Sequence, residues 1–172
     1  MQQADQRTRI GLVLGLRLIG ILARLLPHPP NATPLMAIAL FGGTYLPKRW
    51  AILVPWAIVA VSDLVLGWHS TVPFTWSAFL LTGMIAWWVR SRLSVSRVIA
   101  GALASSWLFF LLTNFGVWAT QTLYPKSTAG LWACYVAAIP FFRNMLIGDL
   151  LSTGILFGLF GLLGHRSEPC PR

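Results

Sequence analysis

The chain has 172 residues, 56% hydrophobic and 10% charged, with 13 Lys and Arg against 4 Asp and Glu, for a net charge of +9. A soluble domain covers its core with far more charge, so the main solvent here is lipid. The basic residues sit in clusters between apolar runs, which argues against nucleic acid as a partner and for charge that fixes membrane orientation.

Crossing about 30 Å of hydrocarbon takes roughly 20 helical residues, so about six spans with short loops use up the chain. The expectation is an all-α integral membrane bundle of six transmembrane helices forming one domain over 1–172. The first span covers 10–26. Arg7 and Arg9 precede it as in a secretory signal, but Arg17 interrupts the run and no small-x-small cleavage site follows. It ends at Pro27-His28-Pro29-Pro30-Asn31, because proline lacks an amide and blocks helix continuation. The second span, 33–46, ends at Pro47-Lys48-Arg49 and reaches only about 21 Å, so it is the weakest crossing and a candidate re-entrant segment.

The third span, 50–67, contains Pro55, and a polar turn from Trp68 to Pro73 separates it from the fourth, 74–89. A basic loop from Arg90 to Arg97 follows. The fifth span, 98–123, is the longest and is closed by Tyr124-Pro125-Lys126-Ser127-Thr128. A short apolar segment, Leu131 to Ala138, is expected to lie along the interface before the sixth span, 140–163.

With the N-terminus inside, Arg7, Arg9, Lys48, Arg49, Arg90, Arg92, Arg97, Arg166 and Arg172 all fall on the cytoplasmic side, and the opposite loops hold Lys126. This places the chain in a bacterial inner (cytoplasmic) membrane with both termini cytoplasmic. Cys134 and Cys170 then lie on opposite sides and form no disulfide, and no CxxC or Cys/His cluster points to a metal.

A charge at the bilayer centre costs about 2.5 to 3.5 kcal/mol on insertion scales, so the intramembrane charges call for partners. Arg17 and Asp149 fall at similar depth with opposite signs, which predicts a structural ion pair between the first and sixth helices. Arg24 shares the Arg17 face nearer the outer end, within reach of a ligand. Asp63 and Arg143 lie within about one turn of the outer surface, either contacting a ligand or bridging the third and sixth helices. Asn114, Trp118 and Gln121 form one stripe on the fifth helix, suited to lining a pocket or to interhelical hydrogen bonds. His28 and His69 project from outer turns. Trp68, Trp76 and Trp132 suit an interfacial belt, a subset of which can stack on a flat ligand.

Gly11 to Gly15 and Gly154 to Gly158 are GxxxG patterns, which let another helix approach closely, either inside the bundle or from a partner. There is no GxSxG, HExxH or Walker loop and no paired carboxylates, so neither catalysis nor a cofactor is expected, and energy for transport would come from elsewhere.

The run Leu26-Pro27-His28-Pro29-Pro30-Asn31-Ala32-Thr33-Pro34, then Ala37 to Gly43, Ser62-Asp63-Leu64 and Arg143 to Asp149, resembles an uncharacterised family of small bacterial six-helix proteins. That family is similar to the substrate-binding S components of energy-coupling-factor (ECF) vitamin transporters. More distantly, the chain resembles the solitary S components that take up vitamin B12, where His28, Asp63 and Arg143 match positions surrounding the corrinoid. The cysteine which that family carries after its third helix has no counterpart in Phe74-Thr75-Trp76-Ser77. The resemblance implies a cavity open to the outside and uptake of a vitamin-like small molecule, with cobalamin or a related corrinoid the first candidate. His28, Asp63, Arg143, His69, Trp76, Asn114 and Trp118 are then the expected substrate-binding residues. A transmembrane coupling subunit with cytoplasmic ATPases is the implied partner. The alternative is a non-transporting scaffold that assembles other envelope proteins.

Overall fold

Proline, glycine and serine set most of the helix ends. The computed structural model describes residues 2–25 and 33–162. It contains α1 (Gln2–Leu25), α2 (Leu35–Tyr45), α3 (Lys48–Leu66), α4 (Val72–Ser91), α5 (Val95–Thr120) and α6 (Thr128–Leu162). Pro34 and Pro47 stand just ahead of α2 and α3, where first-turn amides lack helical partners in any case. Gly67 ends α3 at φ 94°, a left-handed conformation that side chains disfavour. Ser94 caps α5, its Oγ accepting from the Arg97 amide at 3.3 Å.

Helix α6 runs for 35 residues and carries Pro140 inside it. The expected interfacial segment Leu131 to Ala138 is therefore the first part of α6, not a separate element. Proline removes one helical hydrogen bond, but contacts on either side hold the helix together. The Tyr135 hydroxyl donates to the Leu111 carbonyl at 2.8 Å and the Cys134 thiol to the Asn114 carbonyl at 3.5 Å, which pins this part of α6 along α5.

Helix α2 is the core. Every residue from Leu35 to Thr44 is buried, and all five other helices touch α2. Around it α1 meets α3, α3 meets α4, α4 meets α5 and α5 meets α6, but among the described residues α1 and α6 do not meet, so the ring they form is open on one side. Glycines permit the close approaches. A Cβ on Gly43 would collide with the side chain of Ala86, and one on Gly101 would lie 2.7 Å from Val89 Cγ2. On the α6 side, Phe157 and Phe160 both set their edges against Phe41 at 5.2 Å.

Helices α4, α5 and α6 are long and apolar enough to cross a membrane. Their outward faces present Leu80, Met84, Trp88, Leu111, Ile155 and Leu159, a surface that water would drive to associate and that lipid solvates. These features mark a membrane protein. The other helices fall short on their own terms. Helix α2 has 11 residues, about 16 Å, α3 has an apolar stretch of only Ile52–Val65, and α1 carries Arg17 and Arg24.

Candidate functional site

The shortness of α2 leaves space above its N-terminus, and a cavity of about 470 Å³ occupies it. Thr33, Leu35 and Met36 approach from the α2 side, and Arg24 from the end of α1. His69 and Thr71 of the α3–α4 turn lie at the mouth, with Thr75 and Phe79 of α4 below them. Helix α5 contributes Phe109, Thr113, Asn114 and Val117, and α6 contributes Met145 and Asp149. The successive steps of four residues on α4 and α5 keep each set on one helical face.

Asp149 is 1% exposed. Its Oδ2 accepts from Ser106 Oγ at 2.8 Å, and the first-turn amides of Met36 and Ala37 face the same carboxylate, as the positive end of a helix dipole favours. Oδ1 nevertheless has no partner at full hydrogen-bond geometry. On the wall, Arg24 Nη2 lies 2.8 Å from Asp63 Oδ1, and Asp63 Oδ2 accepts from Trp76 Nε1 at 3.2 Å. Arg24 Nη1 is buried without a partner. Among the described residues, Asp149 Oδ1 on the floor and Arg24 Nη1 on the wall therefore lack a hydrogen bond of full geometry, which is costly for a buried charged group.

The remaining polar groups are committed on one side only. Thr113 Oγ1 donates to the Phe109 carbonyl at 2.8 Å, Asn114 Nδ2 to the Phe110 carbonyl at 2.8 Å and Thr75 Oγ1 to the Thr71 carbonyl at 3.3 Å. Each keeps an oxygen able to accept. At the mouth, His69 Nδ1 pairs with Thr71 Oγ1 at 2.9 Å. Among the described residues, no three His, Cys, Asp or Glu side chains converge as metal ligands.

The structure sorts the expected site residues. His69, Asn114 and Asp149 line the cavity. Asp63 stands behind the wall, 2% exposed, held by Arg24 and Trp76, and Trp76 itself lies against Trp56 with ring centroids 4.4 Å apart. Trp118 faces away, donating to the Pro125 carbonyl at 2.9 Å with Lys126 over its ring. Arg143 is exposed on α6, off the cavity, and forms no bridge to Asp63 among the described residues. His28 lies outside the described residues.

The expected Arg17–Asp149 pair does not form. Helices α1 and α6 do not meet, and Arg17 reaches the Leu53 carbonyl of α3 at 3.5 Å with its guanidinium 5.5 Å from the Trp50 ring. The α5 lining is also rotated from the expected stripe. Phe109, Thr113 and Val117 replace Trp118 and Gln121, a shift of one residue or about 100° around the helix. Thr71, Thr75 and Thr113 were not singled out by the sequence, and the one available signal was threonine spaced by four ahead of Phe79.

No curated protein matches the chain, and no solved structure does. Residues 4–170 match the model of a family of unknown function, DUF6580, and the chain belongs to that family.

Proposed function

We propose that the chain is the substrate-binding subunit of an uptake system similar to ECF S components, and that it takes a vitamin-like small molecule into the cavity above α2. One observation carries this reading: a cavity at the end of an apolar bundle has a buried carboxylate oxygen and a buried guanidinium nitrogen that, among the described residues, lack a hydrogen bond of full geometry. Apolar packing alone does not select such atoms, whereas a polar ligand supplies their missing bonds.

Six crossings with both termini cytoplasmic, in a bacterial inner membrane, fit this reading. The end of α4, the α4–α5 turn and the start of α5 carry Arg90, Arg92 and Arg97, and the α5–α6 loop carries Lys126. Helix α2 then fills the inner half of the membrane and the cavity the outer half, with His69 at the outer mouth. A coupling subunit linked to cytoplasmic ATPases has a suitable surface. Gly11 and Gly15 of α1 and Gly154 and Gly158 of α6 meet nothing within 4 Å of an added Cβ, so these small-residue faces do not serve packing within the bundle.

The cavity falls in the range of about 300 to 1,000 Å³ that encloses drug-sized ligands. A complete corrinoid is bulkier than about 470 Å³. With Arg143 off the cavity as well, this supports smaller vitamins and related molecules ahead of a corrinoid. The test is native mass spectrometry of gently purified protein together with melting curves across a vitamin panel that includes cobalamin and cobinamide. A vitamin-sized compound that co-purifies or raises Tm supports the reading. If no compound does either, the scaffold alternative replaces it.

A further inference from the structure

The charges around the cavity do not balance. Asp63 and Asp149 are both about 1% exposed and Arg24 is mostly buried, so two carboxylates face one guanidinium. Arg24 and Asp63 neutralise one another at 2.8 Å. Asp149 is left with a serine hydroxyl and the N-terminus of α2, equivalent to about half a positive charge. When Asp149 is ionised, about half a negative charge stays uncompensated at the cavity floor, and a cationic guest is what favours that ionised form there. His69 is the remaining titratable group among the described lining residues, and it sits at the exposed mouth.

Hydrogen-bond roles lead the same way. The hydroxyl protons of Thr75 and Thr113 and one of the two Asn114 amide protons are spent on backbone carbonyls, and Ser106 spends its own on Asp149. What these groups offer to the interior is four oxygen acceptors against one remaining Asn114 N–H, counting Asp149 Oδ1, which has no hydrogen bond of full geometry among the described residues. The one bare charged donor is Arg24 Nη1, on the wall. The interior is built for a guest rich in N–H groups at one end and carrying an acceptor at the other.

We infer that the ligand is a small cation or zwitterion, whose protonated nitrogen docks on Asp149 Oδ1 while a carbonyl, carboxylate or hydroxyl oxygen meets Arg24 Nη1. This rests on the reading of the cavity as a substrate site and specifies its chemistry. Anionic ligands without a positive nitrogen are disfavoured by the floor, and wholly apolar ones leave both buried atoms unsatisfied.

The test uses rings of one size in different charge states: 3-(aminomethyl)pyridine, nicotinamide and nicotinate, and separately pyridoxamine against 4-pyridoxate. Tm and calorimetric affinity are measured on the full chain in detergent. The protonated amines 3-(aminomethyl)pyridine and pyridoxamine should bind, and the anions nicotinate and 4-pyridoxate should not. Asp149→Asn keeps a partner for Ser106 and removes the charge, and it should weaken cation binding roughly 10- to 150-fold. Equal or tighter binding of the anions, or undiminished cation binding by a folded Asp149→Asn, overturns the charge inference and leaves the binding-subunit reading standing. If Asp149→Asn does not fold, the wild-type ranking of cation over anion decides alone. If none of these probes nor any vitamin of the wider panel binds, both readings fall together.

Discussion

Removing the charge of Asp63 should unfold this protein more readily without touching the cavity floor. The pair Arg24–Asp63 is 2.8 Å long with side chains 15% and 2% exposed, so neither partner can turn to solvent when the other is lost. Breaking a buried pair by deleting one member costs about 3 to 5 kcal/mol, because the surviving charge stays buried. Asp63→Asn preserves an acceptor for Trp76 Nε1 and so isolates the charge effect, whereas Asp63→Ala also forfeits that bond, a further loss of about 1 kcal/mol. The measurement is tryptophan fluorescence during unfolding in mixed SDS–detergent micelles, for Asp63→Asn, Arg24→Gln and the double variant. The double variant should recover at least half of the Asp63→Asn loss, since it leaves no orphan charge. A loss below about 1 kcal/mol for Asp63→Asn, or losses that simply add in the double variant, would refute the buried-pair argument.

Arg17→Leu and Asp149→Ala should be additive within about 0.5 kcal/mol in the same assay, because α1 and α6 do not meet, and coupling above about 1 kcal/mol would contradict the placement of Arg17 on α3. Gly43→Leu should cost about 1 to 3 kcal/mol or more by driving α2 off Ala86, whereas Gly158→Leu, which has open space around it, should stay within about 0.5 kcal/mol of wild type. A cysteine at Ser127 should react with an impermeant reagent in intact cells and one at Ser91 should not. Reaction of both from outside ends the six-crossing topology.

The helices were legible because apolar runs alternate with proline, glycine and basic clusters, and all six lie on the runs that predict them. The error at α6 came from starting the sixth span at Pro140 and setting Leu131 to Ala138 apart, when lateral packing on α5 carries one helix through the proline. Polar residues in apolar runs drew attention to Asp149, Asp63 and Arg24, since lipid makes such groups expensive. Their pairing was not legible. Depth along a helix follows from counting residues, but which helices are neighbours depends on the ring order, and that order separates α1 from α6. Asn114 was found and Thr113 missed for a similar reason. A helix apolar on nearly all sides gives no internal reference for which face turns inward, so the stripe chosen was one residue off.

The burial of α2 bears on how the protein is made. A segment of 11 residues reaches about 16 Å, too little to rest alone across a bilayer, and none of its residues from Leu35 to Thr44 meets lipid. The usual scheme of inserting each helix independently and packing the helices afterwards does not apply to this one. Helix α2 has to be held beside α1 and α3 from the moment it leaves the insertion machinery, and it becomes a lasting part of the membrane only when α4, α5 and α6 close around it. Substitutions in α2 should therefore reduce the yield of inserted protein, so some sequence variants will be lost during biogenesis before any binding measurement can register them.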